Sequence, residues 1–332
     1  MRMPIVKAVP VLLLFFVLTP FASAQTLILQ QQFIAKYHNR ATIEATFIVD
    51  HAHPQPNSPS QDGDLHAAGR SSAVGLPMVS EVMNAAGATQ KAIVNAIHAN
   101  EGTGKAAPIA GAWRIWFEHP SKAPQKQGAN VPPAANTDPN HCFEIHPITS
   151  YAGQAVPDSL QPINGYTPKD PDTAFGEYEK LSTTIQIAAN TVTLTSKQIG
   201  YNYVRFTAQL AGKPDNLDPN DEGQTDGQVV LANIIGDTSD TVLVNNLRLI
   251  FVASTLPAKA LQSAPAGATM QLLGIPRVDL NAIWTFVQQS GTGTVTRKLP
   301  YEMIVVGVFG SDGTGNASTN NPKHNTRHRD GS

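Results

Sequence analysis

"GATQKAIVNAIHAN", residues 87–100, is the segment that decides the fold, because it is the one helical pattern in the strand-rich first half of the chain. Ile93, Ala96 and Ile97 recur at the spacing of one helix face. Three strand patterns precede this segment and two follow it, at 41–51, 63–70, 75–84, 109–119 and 141–151. That element order is typical of the OB barrel, a five-stranded Greek-key barrel. The sequence therefore predicts a mainly β protein with an OB-like five-stranded barrel and one helix over residues 30–155.

The second half of the chain is also rich in strand patterns, and a helical segment at 256–264 precedes its last two strands. The stretch 156–178 has the proline density of a linker, so a separate β-rich domain is predicted over 179–310. A second β-barrel and a β-sandwich both fit this pattern, and no repeat at the residue level decides between them. The tail, 311–332, has almost no apolar side chains and is predicted to be disordered.

The start of the chain has the layout of a cleavable secretory signal over 1–24: Arg2 and Lys7 precede an apolar run and a small-residue site at 22–24. We therefore expect a secreted or periplasmic protein without a retained membrane span. The formal net charge of −2 makes nucleic acid an unlikely partner, since phosphate contacts need a concentrated basic surface. Cys142 is the single cysteine, so no internal disulfide holds the chain.

Ionisable side chains are predicted to gather on one face of the first barrel. Alternate residues of a strand face opposite sides, so Asp64 and His66 lie opposite Leu65. The strands at 109–119 and 141–151 divide in the same way. The candidate ligand-binding residues from this pattern are Asp64, His66, Glu81, Arg114, Trp116, Glu118, Glu144 and His146. We expect their ionisable groups to meet on the exterior of the barrel.

The same face offers ligands for a divalent metal, the one cofactor that these residue types suggest. Imidazole nitrogens with carboxylate oxygens suit zinc, manganese or iron. The candidate metal ligands are His66, His146, Glu144 and Asp64. A structural interpretation also fits, in which Asp64 caps a turn and the other groups form hydrogen-bonded pairs. Recognition of a ligand without metal is a third interpretation.

Four ordered motifs resemble those of small uncharacterised bacterial OB-fold-like proteins: "DGDLHAAG" (62–69), "MVSEVMN" (78–84), "WFEHP" (116–120) and "FEIHPITS" (143–150). The resemblance covers 41–151 and implies the barrel, but no activity. The positions that it matches are Asp64, His66, Glu81, Glu118, His119, Glu144 and His146, so it adds His119 to the candidates. A more distant likeness to staphylococcal-nuclease-like barrels rests on Asp-Gly-Asp, and the arginine-bearing strand of those enzymes is missing.

Three functions fit these observations. The leading one is an exported, non-enzymatic binding or interaction module whose polar barrel face contacts an unknown ligand or protein. The first alternative is a metal-dependent, phosphodiesterase-like hydrolase at the same face, with a metal-bound water as nucleophile. The second alternative is a structural subunit of an extracellular assembly. Neither the ligand nor the oligomeric state follows from the sequence.

Overall fold

The computed structural model describes residues 24–119, 121, 123–128, 130–156, 159–238 and 241–310. Strands make up 43% and helices 17%, and the strands close into two five-stranded barrels, one N-terminal and one C-terminal. The predicted mainly β fold is confirmed. The predicted signal up to residue 23 and the predicted tail lie outside the described residues. Within the described ranges, no helix combines the length and the hydropathy that crossing a membrane requires.

The described residues form strands and short helices that alternate along the chain. In chain order the strands are β1 (Gln25–Gln30), β2 (Thr42–Ala52), β3 (Leu65–Arg70), β4 (Met78–Val82), β5 (Ala106–Ile115), β6 (Gln125–Lys126), β7 (Phe143–Tyr151), β8 (Gln154–Ala155), β9 (Ser182–Ile187), β10 (Thr191–Ser196), β11 (Val204–Leu210), β12 (Asp215–Asn216), β13 (Gly227–Ile235), β14 (Val242–Val252), β15 (Thr269–Val278), β16 (Gly293–Lys298) and β17 (Tyr301–Phe309). The helices are α1 (Gln31–Tyr37), α2 (Lys91–Asn100), α3 (Pro171–Tyr178), α4 (Leu256–Ser263) and α5 (Leu280–Ser290).

The N-terminal barrel has the strand order of the predicted OB barrel. Its strands follow one another as β2, β3, β4, β7 and β5, and the parallel pairing of β4 with β7 closes the ring. Helix α2, which the first quoted segment predicted, connects β4 to β5 and buries Ile93 and Ile97. β5 ends at Ile115, earlier than predicted, so Glu118 and His119 lie in the loop beyond it.

The C-terminal barrel repeats this order. Its strands follow one another as β11, β13, β14, β17 and β15, and β11 pairs with both β13 and β15 to complete the ring. β14 and β17 are parallel, and α4 precedes β15 just as α2 precedes β5. Of the two architectures that the sequence left open for this half, the structure therefore has the barrel.

The features that were not expected from the sequence include a third sheet and helix α3. The third sheet has the strand order β16-β9-β10-β1-β6, in which Leu27 of β1 lies opposite Leu194 of β10. Helix α3 occupies the end of the predicted linker, where Asp170 accepts a hydrogen bond from the amide of Thr173 at 2.8 Å. Pro171 is the first residue of α3, a position where a missing N–H is harmless. The proline density that indicated a linker therefore belongs in part to a helix start.

The two barrels dock through their polar faces by a reciprocal contact between buried arginines. Arg114, the penultimate residue of β5, donates from Nε to the carbonyl oxygen of Pro276 at 3.0 Å. Arg277, the penultimate residue of β15, donates from Nη1 to the carbonyl oxygen of Trp113 at 3.1 Å. Each arginine thus bonds to the residue that precedes the other arginine. This barrel–barrel contact, built around Arg114 and Arg277, is called the seam below.

Each arginine of the seam is balanced by a glutamate on the last strand of its own barrel. Nη1 of Arg114 lies 2.6 Å from Oε2 of Glu144, and Nε of Arg277 lies 2.7 Å from Oε1 of Glu302. The guanidinium of Arg277 also stacks over the ring of Trp113, 3.6 Å from its centroid. A buried guanidinium is strongly unfavourable without such partners, so these contacts fix how the barrels dock.

We expect Arg277→Met to lower the free energy of unfolding by about 3–5 kcal/mol, because it leaves the Glu302 carboxylate buried without one of its cations. Urea unfolding followed by circular dichroism measures this change. Arg297→Met, on the exposed strand β16, is the matched control and should change it by less than about 0.5 kcal/mol. Similar midpoints for the two variants would contradict the role given to Arg277.

Candidate functional site

Most of the predicted site residues are enclosed in the seam. The side chains of Asp64, Arg114 and His146 are 0% exposed, and those of Glu81 and Glu144 are 2% and 4% exposed. The sequence placed these groups together on the exterior of the first barrel, and the C-terminal barrel covers that face. Strand alternation shows which side chains share a face, but it carries no information about what packs against that face.

Tyr203, from the C-terminal barrel, connects Asp64 to His146. Its hydroxyl donates to Oδ2 of Asp64 and lies 2.7 Å from Nε2 of His146. Burial raises the pKa of Asp64. Burial alone would lower the pKa of His146, but the neighbouring carboxylates, led by that of Glu81, raise it to about 10. His146 is therefore an imidazolium at neutral pH, and the donors run from His146 through Tyr203 to Asp64.

Glu81 lies between two imidazole rings. Its Oε2 atom is 3.3 Å from Nε2 of His66 and 3.3 Å from Nδ1 of His146. The closure of the barrel causes this proximity, because β4 pairs with β3 on one side and with β7 on the other. Burial raises the pKa of the Glu81 carboxyl against the opposing effect of both rings. His66 lies at the rim with 14% of its side chain exposed, and it stacks on the ring of His53.

Glu144 connects the seam to the protein surface. Its Oε2 atom accepts from Arg114, whereas its Oε1 atom lies 3.2 Å from Nε2 of His141 and 3.9 Å from Nε2 of His119. Burial raises the pKa of Glu144, but the charge of Arg114 and the contact with His141 outweigh it and hold that pKa well below its usual range. The carboxylate is therefore ionised and has a different partner at each oxygen.

Oε1 is called the outer oxygen of Glu144 below. The groups at this end of the network are called the edge cluster: Glu118, which contacts Arg114, and His119, Asp138, His141 and Glu144. The rings of His119 and His141 stack with their centroids 4.3 Å apart and their planes 16° apart. Nδ1 of His119 lies 3.2 Å from Oδ1 of Asp138, and Nδ1 of His141 lies 2.6 Å from the carbonyl oxygen of Pro139. A neutral imidazole that donates from Nδ1 presents Nε2 as its free nitrogen. Nε2 of each ring faces the same carboxylate oxygen, Oε1 of Glu144, where it donates when it carries a proton and is free for a metal ion when it does not.

Solvent reaches the edge cluster. The side chains of His119, Asp138 and Glu118 are 25%, 49% and 22% exposed, whereas that of His141 is 1% exposed. Burial lowers the pKa of His119, but the hydrogen bond to Asp138 and the charge of Glu144 raise it to about 9. The same hydrogen bond lowers the pKa of Asp138. The cluster therefore has an open side and a buried side.

Sequence reasoning missed Asp138 and His141, and it misplaced Trp116. The missed residues share a spacing of three with Glu144, in "DPNHCFE" (138–144), and both precede β7, which begins at Phe143, later than predicted. Asp138 fell outside every predicted strand, and alternation in the predicted strand 141–151 put His141 on the face opposite Glu144. Trp116 was predicted to share the polar face, and it packs instead at the edge of the Tyr178 ring, with centroids 5.4 Å apart and 2% of the residue exposed.

The four predicted metal ligands do not converge on one point. Among the described residues, two triads bring their potential ligand atoms within 4.8 Å of one another, namely Asp64–Glu81–His146 and His119–His141–Glu144. Asp64 and His146 belong to the first, here called the sealed triad, whereas Glu144 belongs to the second. His66 belongs to neither. The first triad lies inside the seam and the second is the core of the edge cluster.

The C-terminal barrel offers an internal comparison for these groups. Arg277 lies opposite Glu302 across β15 and β17, as Arg114 lies opposite Glu144 across β5 and β7. The histidines do not recur with them. Three residues before the glutamate, the first barrel has His141 and the second has Leu299. Two residues after the glutamate, the first has His146 and the second has Ile304. The arginine–glutamate pairs thus belong to docking, whereas the histidines are not required to build such a barrel.

The partner of the second carboxylate oxygen also differs between Glu302 and Glu144. Oε2 of Glu302 accepts from Nε of Arg248 at 2.9 Å, so that carboxylate lies between two arginines. Oε1 of Glu144 faces His119 and His141 instead. A permanent cation in one barrel is therefore replaced, in the other, by two groups that bind either protons or metal ions.

Fold and site together define a protein of two OB-ordered barrels docked face to face, with a histidine–carboxylate cluster at the edge of their seam. Comparison with models of protein families and with curated proteins finds no match for the chain.

The free energy of unfolding should fall as pH rises from 6.5 towards about 10, because native His146 keeps a proton that the unfolded chain releases near 6.5. Below pH 6.5 both states hold this proton, so its contribution to stability is complete there. One such group gives a slope of about 1.4 kcal/mol per pH unit, and His119 adds to it with the same sign. Urea unfolding at several pH values measures the slope. His146→Gln should reduce it, and a flat wild-type profile between about pH 7 and pH 9 would contradict this assignment.

Proposed function

We propose that the protein is a secreted or periplasmic binding module without enzymatic activity, and that its ligand contacts the edge cluster. The exposure of His119 and Asp138 carries this proposal, because they form the open end of a charge network that is otherwise enclosed in the seam. Charged groups that are fixed in place and open to solvent bind an ion or polar ligand with little reorganisation. The apolar counterpart of His141 in the second barrel, Leu299, adds support, since the fold alone does not call for a histidine there.

The hydrolase alternative has less support. The sealed triad lies beneath the C-terminal barrel, where a substrate has no access. Arg114 contacts the edge cluster, but its Nε, Nη1 and Nη2 atoms already donate to Pro276, Glu144 and Glu118. An arginine engaged in this way is not free to stabilise charge that develops in a transition state.

The assembly alternative depends on a free sheet edge. β16 ends the third sheet and is exposed along its length, so its outer edge is a place where another chain could add a strand. Arg297 and Lys298 lie at the end of this strand. Positive side chains on an edge strand oppose such pairing, so this feature favours a monomer over an assembly.

Nuclear magnetic resonance of the ¹⁵N-labelled chain tests the binding function. We would titrate it separately with sodium phosphate, sodium citrate and the chlorides of magnesium, calcium, manganese and zinc. At least one of these probes should shift the amide signals of the edge cluster, because that cluster is charged and open to solvent. The signals of Lys169 and Tyr201, which line a separate surface groove, are the internal reference.

Two results would contradict this proposal. One is a set of titrations in which no probe shifts the edge-cluster signals, or in which shifts appear only around Lys169 and Tyr201. The other is a phosphodiesterase activity: the metal-loaded protein hydrolyses bis(p-nitrophenyl) phosphate, and His119→Gln abolishes that hydrolysis. That second result would establish the hydrolase alternative at the same cluster.

A further inference from the structure

We propose that His119, His141 and Glu144 bind one divalent transition-metal ion, with zinc as the reference ion. The inference rests on the proposed binding function and names its ligand class. The site shares only Glu144 with the metal ligands that the sequence predicted, since the other three lie at the sealed triad or beside it. It assigns chemistry to two histidines that the docking of the barrels does not use.

The hydrogen bonds of the two rings are those of metal-binding histidines. Such a histidine typically donates its second ring N–H to a carboxylate or a backbone carbonyl, which fixes the ring and its tautomer. Here the carboxylate of Asp138 holds Nδ1 of His119, and the carbonyl of Pro139 holds Nδ1 of His141. Each ring therefore directs Nε2 at the outer oxygen of Glu144. Two imidazole nitrogens and one carboxylate oxygen are three protein ligands, the number common at zinc sites that keep one position open.

The distances are near those around one ion, but the stacking requires one ring to turn before both rings can bind it. Zinc bonds of about 2.0–2.1 Å in tetrahedral geometry place neighbouring ligand atoms about 3.3 Å apart. Nε2 of His141 is already 3.2 Å from Oε1 of Glu144, and Nε2 of His119 is 3.9 Å from it. Because the stacked planes are only 16° from parallel, the two Nε2 lone pairs run side by side, so one ring must turn well out of the stack, and His119 is the ring that can. It is also the exposed member, on the loop after β5, so it has room to move and leaves the fourth position open to solvent.

The edge cluster is negative when its two histidine rings are neutral, which favours a cation over an anion as the ligand of those rings. Arg114 is shared between Glu118 and Glu144, and Asp138 adds a third carboxylate. In the C-terminal barrel the second oxygen of Glu302 is neutralised by Arg248, at 2.9 Å. At Glu144 the two histidine rings take the place of Arg248, and such rings bind either protons or a divalent ion.

The donor set selects the kind of ion. Imidazole nitrogen suits zinc, copper, nickel and iron, whereas calcium and magnesium prefer all-oxygen sites with six or more ligands. The edge cluster has two ring nitrogens whose rings are each held at Nδ1, and one of these rings is almost fully buried. We therefore expect zinc to bind and neither calcium nor magnesium to compete with it.

Isothermal titration calorimetry of the metal-free full chain with zinc chloride tests the site. All variants would carry His324→Gln and His328→Gln, so that the histidines of the tail do not bind zinc. The expected result is one zinc ion per chain, with at least a 100-fold loss of affinity in His119→Gln and in His141→Gln. Asp138→Asn should weaken binding about 10-fold, because it removes only the group that holds a ligand ring. Cobalt in place of zinc should show the visible absorption of a tetrahedral site.

His98→Gln is the matched control, because His98 is 30% exposed and lies 3.4 Å from a carboxylate oxygen of Glu101, yet belongs to neither triad. It should bind zinc as the parent chain does. Circular dichroism and urea unfolding of the metal-free variants check that each is folded, and His119→Gln, in an exposed loop, is the least disruptive of them.

The outcomes separate this inference from the proposed function. Absence of stoichiometric zinc, or full binding by a chain with both His119→Gln and His141→Gln, overturns the metal site. If phosphate or citrate still shifts the edge-cluster signals, the binding function stands without the metal. If no probe affects those signals, both proposals fail.

Discussion

Two buried arginines, each bonded to the other barrel, are the interaction on which this structure depends. Arg114 and Arg277 lie where water cannot solvate them, so both need an anion and several acceptors. Each finds its glutamate within its own barrel and a carbonyl oxygen in the opposite one. Because each bonded carbonyl precedes the other arginine, a shift of one barrel against the other would break both contacts together. The polar face of the first barrel is therefore part of an interior.

Several contacts between the barrels occur twice, once in each direction, as if related by a twofold axis. Residues that take part in such repeated contacts serve docking, whereas residues without a counterpart need another explanation. Asp64 precedes β3 and accepts from Tyr203, the residue before β11. Asp226 precedes β13 and accepts from the amide of Ala41, the residue before β2, at 3.1 Å. Each aspartate thus accepts a hydrogen bond from the residue that precedes the first strand of the opposite barrel. The histidines of the edge cluster have no such counterparts in the second barrel. The position of His141 is taken there by Leu299, and the segment after Val278, which corresponds to the loop that holds His119, has no histidine. This departure from symmetry indicates a role other than docking.

Local pattern was enough for the first barrel and for most members of its polar face, with Trp116 as the exception. The helical spacing in α2 and the strand alternation around Asp64 and Glu144 reflect burial on one side of each element, which a sequence records directly. The cover over that face depends on residues more than 100 positions away, such as Tyr203 against Asp64. Asp138 lies in a loop, where no periodicity applies. Sequence therefore predicted most of the groups on that face, but neither the two triads in which they gather nor which of them solvent can reach.

The two oxygens of Glu144 link the edge cluster to the docking of the barrels. The inner oxygen holds Arg114, whose Nε in turn holds the carbonyl of Pro276, so the position of the outer oxygen depends on the docked C-terminal barrel. A ligand at the outer oxygen must then bind the docked state in preference to any state in which the seam is open, and by linkage it stabilises the docked state. Docking itself does not require that ligand, because Glu302 reaches the same balance with two arginines. The second barrel thus completes its seam with a permanent cation, whereas the first places two histidines at the corresponding oxygen, and these rings bind either protons or metal ions.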